Sequence, residues 1–261
     1  MVSPMETLQV ERVDGIATVT MNRPERKNAI NPTMFDELRQ VFRDFAADPE
    51  RDRVVVLTGT GGNFCSGADL SEVGSVQMHR LQWMRQVGAA CLALHEVPQP
   101  VIAKVEGVAV GAGANLALGC DLIVAAEDAR FSEIFARRGL SIDFGGSYVL
   151  PRLIGLHKAK ELAFFAEIIS AKEALEFGIV NRVVSNADID AFVDDWARKL
   201  AAGPPLALSM TKKLLNAGLH ASMATAVEAE AQAQNVNFPT ADSVEAMTAF
   251  VEKRDPVFRG R

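Results

Sequence analysis

Two glycine-containing stretches hold the residue types that chemistry would need. The first is Asn63-Phe64-Cys65-Ser66-Gly67-Ala68-Asp69-Leu70, directly after an apolar run. The second is GVAVGAGANLALGCD, residues 107–121, with Gly111-Ala112-Gly113 ahead of an apolar helical run and Asn115 inside it. A phosphate loop would continue into Lys-Ser or Lys-Thr, and this one does not. Small residues let a ligand approach the backbone closely, and N–H groups at a helix start favour negative charge. Two N–H groups converging on one carbonyl oxygen form an oxyanion hole, in which each donor is worth on the order of 3–4 kcal/mol. Taken singly, the first stretch reads equally well as a tight turn with Asp69 as a helix cap. The second reads equally well as close packing of a helix on a sheet. As a pair they point to a developing oxyanion.

Such loops need strands to lead into them. RVVVLTG (53–59), PVIAKVEG (100–107) and DLIVAAED (121–128) are continuous apolar runs, the pattern of parallel strands buried on both faces. Residues 6–21 alternate around Asp14-Gly15, a hairpin signal. Asn31-Pro32 opens a helix as N-cap and first helical residue, with Met34, Leu38, Val41, Phe42 and Phe45 on its apolar face. A second helical stretch runs to about His95 and is ended by Pro98 and Pro100. Strand, loop and helix keep alternating, which predicts an α/β architecture with parallel pairing and right-handed crossovers. From about Ala187 onward only helical patterns remain. The expected division is a core over 1–195 and a helical appendage over 196–261, packed on the core or on neighbouring subunits.

The bulk properties narrow the function. At 261 residues and 49% hydrophobic content the chain can bury a sizeable core. A net charge of −6 argues against sequence-independent nucleic-acid binding, yet leaves room for one anionic small ligand. Cys65, Cys91 and Cys120 form no CxxC, so neither a disulfide framework nor a zinc site is expected, and a reducing cytoplasm is the simplest setting. The stretch MVSPMETLQVERVDG lacks the basic and apolar regions of a signal peptide. The apolar runs near 101–126 are broken by Lys104, Glu106, Asn115 and Asp121, short of the roughly 20 residues of a membrane span.

With both loops in view, the chain resembles the crotonase superfamily, the enoyl-CoA hydratases and isomerases. The matching stretches are MNRPERKNAIN (21–31), VVVLTGTGGNFCSGADL (54–70), VIAKVEGVAVGAGANLALGCDLIVAAEDARF (101–131), GLSIDFGGSYVLPRLIG (139–155) and AFVEKRDPVF (249–258). The resemblance implies a spiral of repeated ββα units with a C-terminal helical trimerisation region, and trimers that pair into hexamers. It implies an acyl-CoA thioester as substrate, with coenzyme A entering as part of it, and an oxyanion hole formed by the N–H groups of Ser66 and Ala112. Strand-like backbone at Ala68, Asp69 and Leu70 would meet the adenine. Arg26, Lys27 and the Lys253 of a neighbouring subunit would meet the phosphates. No metal and no redox cofactor is expected.

The typical hydratase carries two glutamates that activate water and protonate the α-carbon. Here those positions hold Asn115 and Phe135, and neither can act as a base. Asn115 could still position a water or a polar substrate group, and Phe135 makes its wall apolar. Glu133 is a possible substitute, though alternation on an extended chain would turn it away from Phe135. Glu106 reads as structural. His79, His95, His157 and His220 fall in helices or at helix ends and in no recognised motif.

Asp143, in GLSIDFGGSYVLPR, is the carboxylate left in place. It could cap the following helix. By resemblance it matches the aspartate of a subgroup that includes the ring-epoxide isomerase of phenylacetyl-CoA degradation. That subgroup shares GAGA-x-LALG and F-x-x-x-F with this chain, but usually has proline where Ile142 stands. The expected chemistry is a double-bond or ring isomerisation in which Asp143 shuttles one proton and the hole holds the enolate. A hydratase using Asp143 with Asn115, and an acyl-CoA binder without turnover, are the alternatives. Met78, Leu81, Trp83 and Met84 lie where the acyl pocket is usually lined, at a spacing more typical of core.

Overall fold

The computed structural model describes residues 5–73 and 77–261. Residues 1–4, part of the stretch read above for a leader, lie outside them. The Asp14-Gly15 turn joins β1 (Leu8–Val13) to β2 (Ile16–Met21) as an antiparallel hairpin. Helix α1 (Pro32–Ala47) begins as predicted: the Asn31 side chain accepts from the Met34 N–H at 2.9 Å, and Pro32 is its first residue. All five of its predicted apolar residues are buried.

After α1 come β3 (Val54–Gly59), the short α2 (Leu70–Val73) and α3 (Arg80–His95). Then follow β4 (Val101–Val105), β5 (Val108–Val110), α4 (Ala112–Leu118), β6 (Leu122–Ala126) and β7 (Arg130–Ser132). Next are α5 (Gly146–Ile154), α6 (Leu156–Phe165), β8 (Ile169–Ser170), α7 (Ala171–Glu176) and β9 (Arg182–Val184). Four helices finish the chain: α8 (Ile189–Ala201), α9 (Pro205–Gly218), α10 (Met223–Asn237) and α11 (Ala241–Glu252).

The main sheet has the order β1-β2-β3-β4-β6-β9 and is parallel from β2 onward. Its apolar runs are explained by burial on both faces. On β3, Val55 and Leu57 join the core shared with α1 and α3, while Val54 and Val56 face Ile189, Val193 and Ala197 of α8. A boundary at 195/196 would therefore cut α8, whose apolar face is part of the core. The helix-only region that packs differently starts later. Among the described residues, neither α9 nor α10 contains a buried residue.

The second sheet, β5-β7-β8, was not legible in the sequence, because its strands are three residues or shorter. It matters for position: β5 runs straight into Gly111. Trp83 proves to be core, with its ring edge-on to Phe35 at 5.6 Å. Leu81 and Met84 are exposed. His79 caps α3 by accepting from the Leu81 N–H. No helix among the described residues is long and apolar enough to cross a membrane.

Candidate functional site

Backbone pairing brings the two loops together. Cys65 pairs with Ala109 of β5: its N–H donates to Val108 O at 2.8 Å, and its O accepts from Val110 N at 3.0 Å. A Cβ on Gly67 would lie 2.8 Å from Val110 O and 3.9 Å from Ala112 N, so the two backbones touch at this point. Gly113 packs equally close, since a Cβ there would sit 2.5 Å from Cys65 O. Glycine is required at both by approach distance, and at Gly67 also by a φ of +99°.

Counting N–H groups corrects one expectation. The Ser66 N–H donates to Lys27 O at 3.0 Å, and its hydroxyl donates to Arg26 O at 3.0 Å. Ser66 is thus committed to the 26–27 turn and cannot offer its N–H to a ligand. The Gly67 N–H points to Cys65 Sγ, and the Asp69 N–H donates to Ile30 O at 2.9 Å. Between them, the Ala68 N–H has no partner among the described residues, and neither does the Ala112 N–H. Ala68 and Ala112 thus offer one open donor on each loop.

Around this pair the MNRPERKNAIN segment acts as a clamp. The fully buried Asn28 side chain donates to Thr60 O and Asn63 O and accepts from the Arg23 N–H. Arg23 reaches Ala29 O, the Asp69 carboxylate at 3.1 Å and Glu72 at 2.8 Å. Sequence reading missed both residues, although Arg23 and Asn28 lie inside a stretch it singled out. Asp69 is occupied: burial would raise its pKa, but hydrogen bonds from Ser71 and Arg23 and the Arg23 charge outweigh this and lower it. It also caps α2 through Ser71, the plainer reading of that residue. Leu70 starts that helix and is exposed, so strand-like backbone ends at Asp69.

Arg26 and Lys27 are exposed and directly adjoin the first loop through their carbonyls. Lys253 ends α11 in a left-handed conformation, and its backbone contacts are to Ala249 and Phe250 of that helix.

The opposite wall holds Asn115, Glu133, Phe135 and Asp143. The Phe135 ring packs over Gly111, beside Ala112, and is 7% exposed. Asn115 is 2% exposed, and its amide donates to Asp143 O at 2.9 Å and to Glu133 Oε2 at 3.3 Å. Its two amide hydrogens make it a strut between two segments, while its Oδ1 is buried without a partner among the described residues. Glu133 is not on an extended chain. β7 ends at Ser132, and Ile134–Arg138 form a tight 3-10 turn, so alternation does not apply. The side chain points inward and is 4% exposed. Burial is the main cause that pushes its pKa up to about 7; the Asn115 hydrogen bond opposes this and the Asp143 charge adds to it.

Asp143 opens a tight turn. The Gly146 N–H donates to Asp143 O at 3.0 Å, and both central residues, Phe144 (φ 46°) and Gly145 (φ 77°), are left-handed. A left-handed phenylalanine costs about 1–2 kcal/mol. Burial of its ring, 6.0 Å from that of Phe35, offsets this and pins the turn. The Asp143 side chain caps nothing: α5 starts at a Gly145 cap with no side-chain bond. Asp143 Oδ1 is buried without a hydrogen-bond partner, and burial pushes the pKa up to about 6. Cys91 of α3 faces this turn and has its own pKa raised by burial and by the Asp143 charge. A half-buried carboxyl poised near neutrality can take up and return a proton. Among the described residues no group of His, Cys, Asp and Glu could hold a metal ion.

Comparison with known proteins bears on this arrangement. The model of the enoyl-CoA hydratase/isomerase family matches residues 11–261. A 1,2-epoxyphenylacetyl-CoA isomerase from Escherichia coli is 35% identical over 95% of this chain and 96% of its own. A short-chain-enoyl-CoA hydratase from Clostridium acetobutylicum is 36% identical over 94% of each. The crystal structure of an enoyl-CoA hydratase from Bacillus anthracis superposes with a TM-score of 0.92 at 32% identity, covering 98% of this chain and all of that one.

Proposed function

The chain belongs to the enoyl-CoA hydratase/isomerase family, and on that premise we propose that it isomerises an acyl-CoA thioester with Asp143 as its single proton carrier. In this reading the thioester oxygen sits between the Ala68 and Ala112 N–H groups. Asp143 removes a proton from a carbon of the acyl chain. The C–H electron pair moves into the conjugated system, and negative charge develops on the oxygen, where the two fixed donors are strongest. Asp143 then returns the proton at another carbon, the electrons fall back into a new double bond, and the carboxylate is regenerated. No water is consumed.

The observation that carries the reading is the buried, unpartnered Asp143 Oδ1 on a carboxyl pushed up to about 6. A structural carboxylate at this burial would have found a donor. Phe135 supports it by keeping the adjoining surface apolar, which discourages competing hydration.

Hydration by Asp143 with Asn115 is the second reading, favoured by the hydratase names among the relatives. The inward commitment of the Asn115 amide weighs against it. The test is turnover of crotonyl-CoA and a 3-enoyl-CoA side by side. Conversion of the 3-enoyl substrate with little hydration of crotonyl-CoA supports the isomerase. Rapid hydration of crotonyl-CoA overturns it, and tight thioester binding without turnover of either selects the non-catalytic binder.

Phosphate contacts from Arg26 and Lys27 are part of the proposal. So is a trimeric assembly, in which Lys253 would reach a neighbour's site. Its support is the exposed apolar surface of the last helices, including Met223, Phe250 and Val251.

A further inference from the structure

We propose that Glu133 is a positioning residue for Asp143, acting through Asn115. The inference rests on the reading of Asp143 as the proton carrier and adds a group that this mechanism does not use.

Glu133 is a buried carboxyl, and among the described residues it forms no ion pair. Its recorded hydrogen bond is the one it accepts from Asn115 Nδ2 at 3.3 Å. The same amide nitrogen donates its other hydrogen to Asp143 O at 2.9 Å. Both amide hydrogens are therefore spent, one on the β7 side of the site and one on the turn that carries Asp143. The donor pattern also fixes which way the amide lies, because a flipped Asn115 would set its oxygen against two acceptors. Gly146 leaves no slack, since a Cβ there would land on the Asn115 amide itself. The Asp143 turn is thus gripped between Phe144 in the core and Asn115 on α4, and Glu133 anchors the Asn115 end.

The groups facing this strut are few. Asp143 faces it from the turn before α5, and Cys91 faces Asp143 from α3. Behind Glu133 lies an apolar cavity lined by Ala114, Leu118, Phe131 and Leu150, with Glu167 also on its wall. Among the described residues Glu133 makes no hydrogen bond to the open Ala68 and Ala112 donors, so its effect on chemistry passes through Asn115. An acceptor of the right length is needed at this position, and glutamine supplies one without charge.

The experiment compares Glu133→Leu and Glu133→Gln with wild type by crystal structure and by kcat and KM on a 3-enoyl-CoA. In Glu133→Leu the Asn115–Asp143 hydrogen bond is expected to break, with kcat falling on the order of tenfold or more and KM within about twofold. Glu133→Gln is expected to keep that bond and recover most of the lost kcat. An intact Asn115–Asp143 bond in Glu133→Leu overturns the proposal, as does an equal loss in both variants. If wild type proves inactive on the 3-enoyl-CoA, the functional reading fails, and the crystal structures still decide the role of Glu133.

Discussion

The two walls of the site are built on opposite terms. On the loop wall nearly every backbone group is spoken for: Cys65 on Ala109, Ser66 on Lys27, Asp69 on Ile30, with Asn28 and Arg23 clamping from behind. Among the described residues, the N–H groups of Ala68 and Ala112 are left without a partner. On the carboxyl wall the polar atoms are under-satisfied. Among the described residues Asp143 Oδ1 and Asn115 Oδ1 are both buried without partners, and burial pushes the Glu133 pKa up to about 7. The over-determined wall suits a task common to any thioester, holding an oxygen. In the proposed mechanism the under-satisfied wall is where a particular reaction is chosen, and where stability is given up for it.

That contrast can be broken from either side. On the loop wall the largest effect is expected at Ala112→Pro. Proline is tolerated at the first helical position but removes the N–H. Turnover should fall on the order of 10²–10³-fold, while the melting temperature stays close to wild type. Unchanged turnover would remove Ala112 from the hole.

Gly113→Ala comes next. Its Cβ would sit 2.5 Å from a backbone oxygen that cannot swing aside, so the loops must part, at a cost of about 1–3 kcal/mol by denaturant unfolding.

On the other wall the same measurement should move the opposite way. The native Asp143 pKa of about 6 lies above the ordinary 3.8. A carboxyl with a raised native pKa favours the folded state while protonated, and that advantage is lost as pH rises from about 4 through about 6. Asp143→Asn should therefore raise stability by about 2 kcal/mol near pH 8 and change little near pH 3.5. Equal stabilities at both pH values would mean that Asp143 is not strained by burial.

The smallest effect is expected at Ser66→Ala. It removes only the hydroxyl bond to Arg26 O and should shift stability by about 0.5 kcal/mol or less, with turnover near wild type.

The helix and strand framework was legible because local rules set it. Asn31-Pro32 supplies a preferred N-cap and first helical residue, and the apolar runs at 53–59, 100–107 and 121–128 fit a buried parallel sheet. The loops were legible as a pair. Which N–H stays free was not, because Ser66 is consumed by Lys27, a partner 39 residues upstream that spacing does not reveal. Glu133 failed for a related reason. Alternation assumes a strand, and the chain turns into a 3-10 helix one residue later. The inward direction of Asn115 likewise depends on two acceptors, Glu133 and Asp143 O, that only the folded chain brings into reach.

The most direct test is the turnover of a 3-enoyl-CoA by Asp143→Asn against wild type under saturating substrate. A single-carboxyl proton carrier predicts a loss on the order of 10²–10⁴ in kcat with KM close to wild type. Turnover at the wild-type rate would contradict it and move the proton chemistry to another residue.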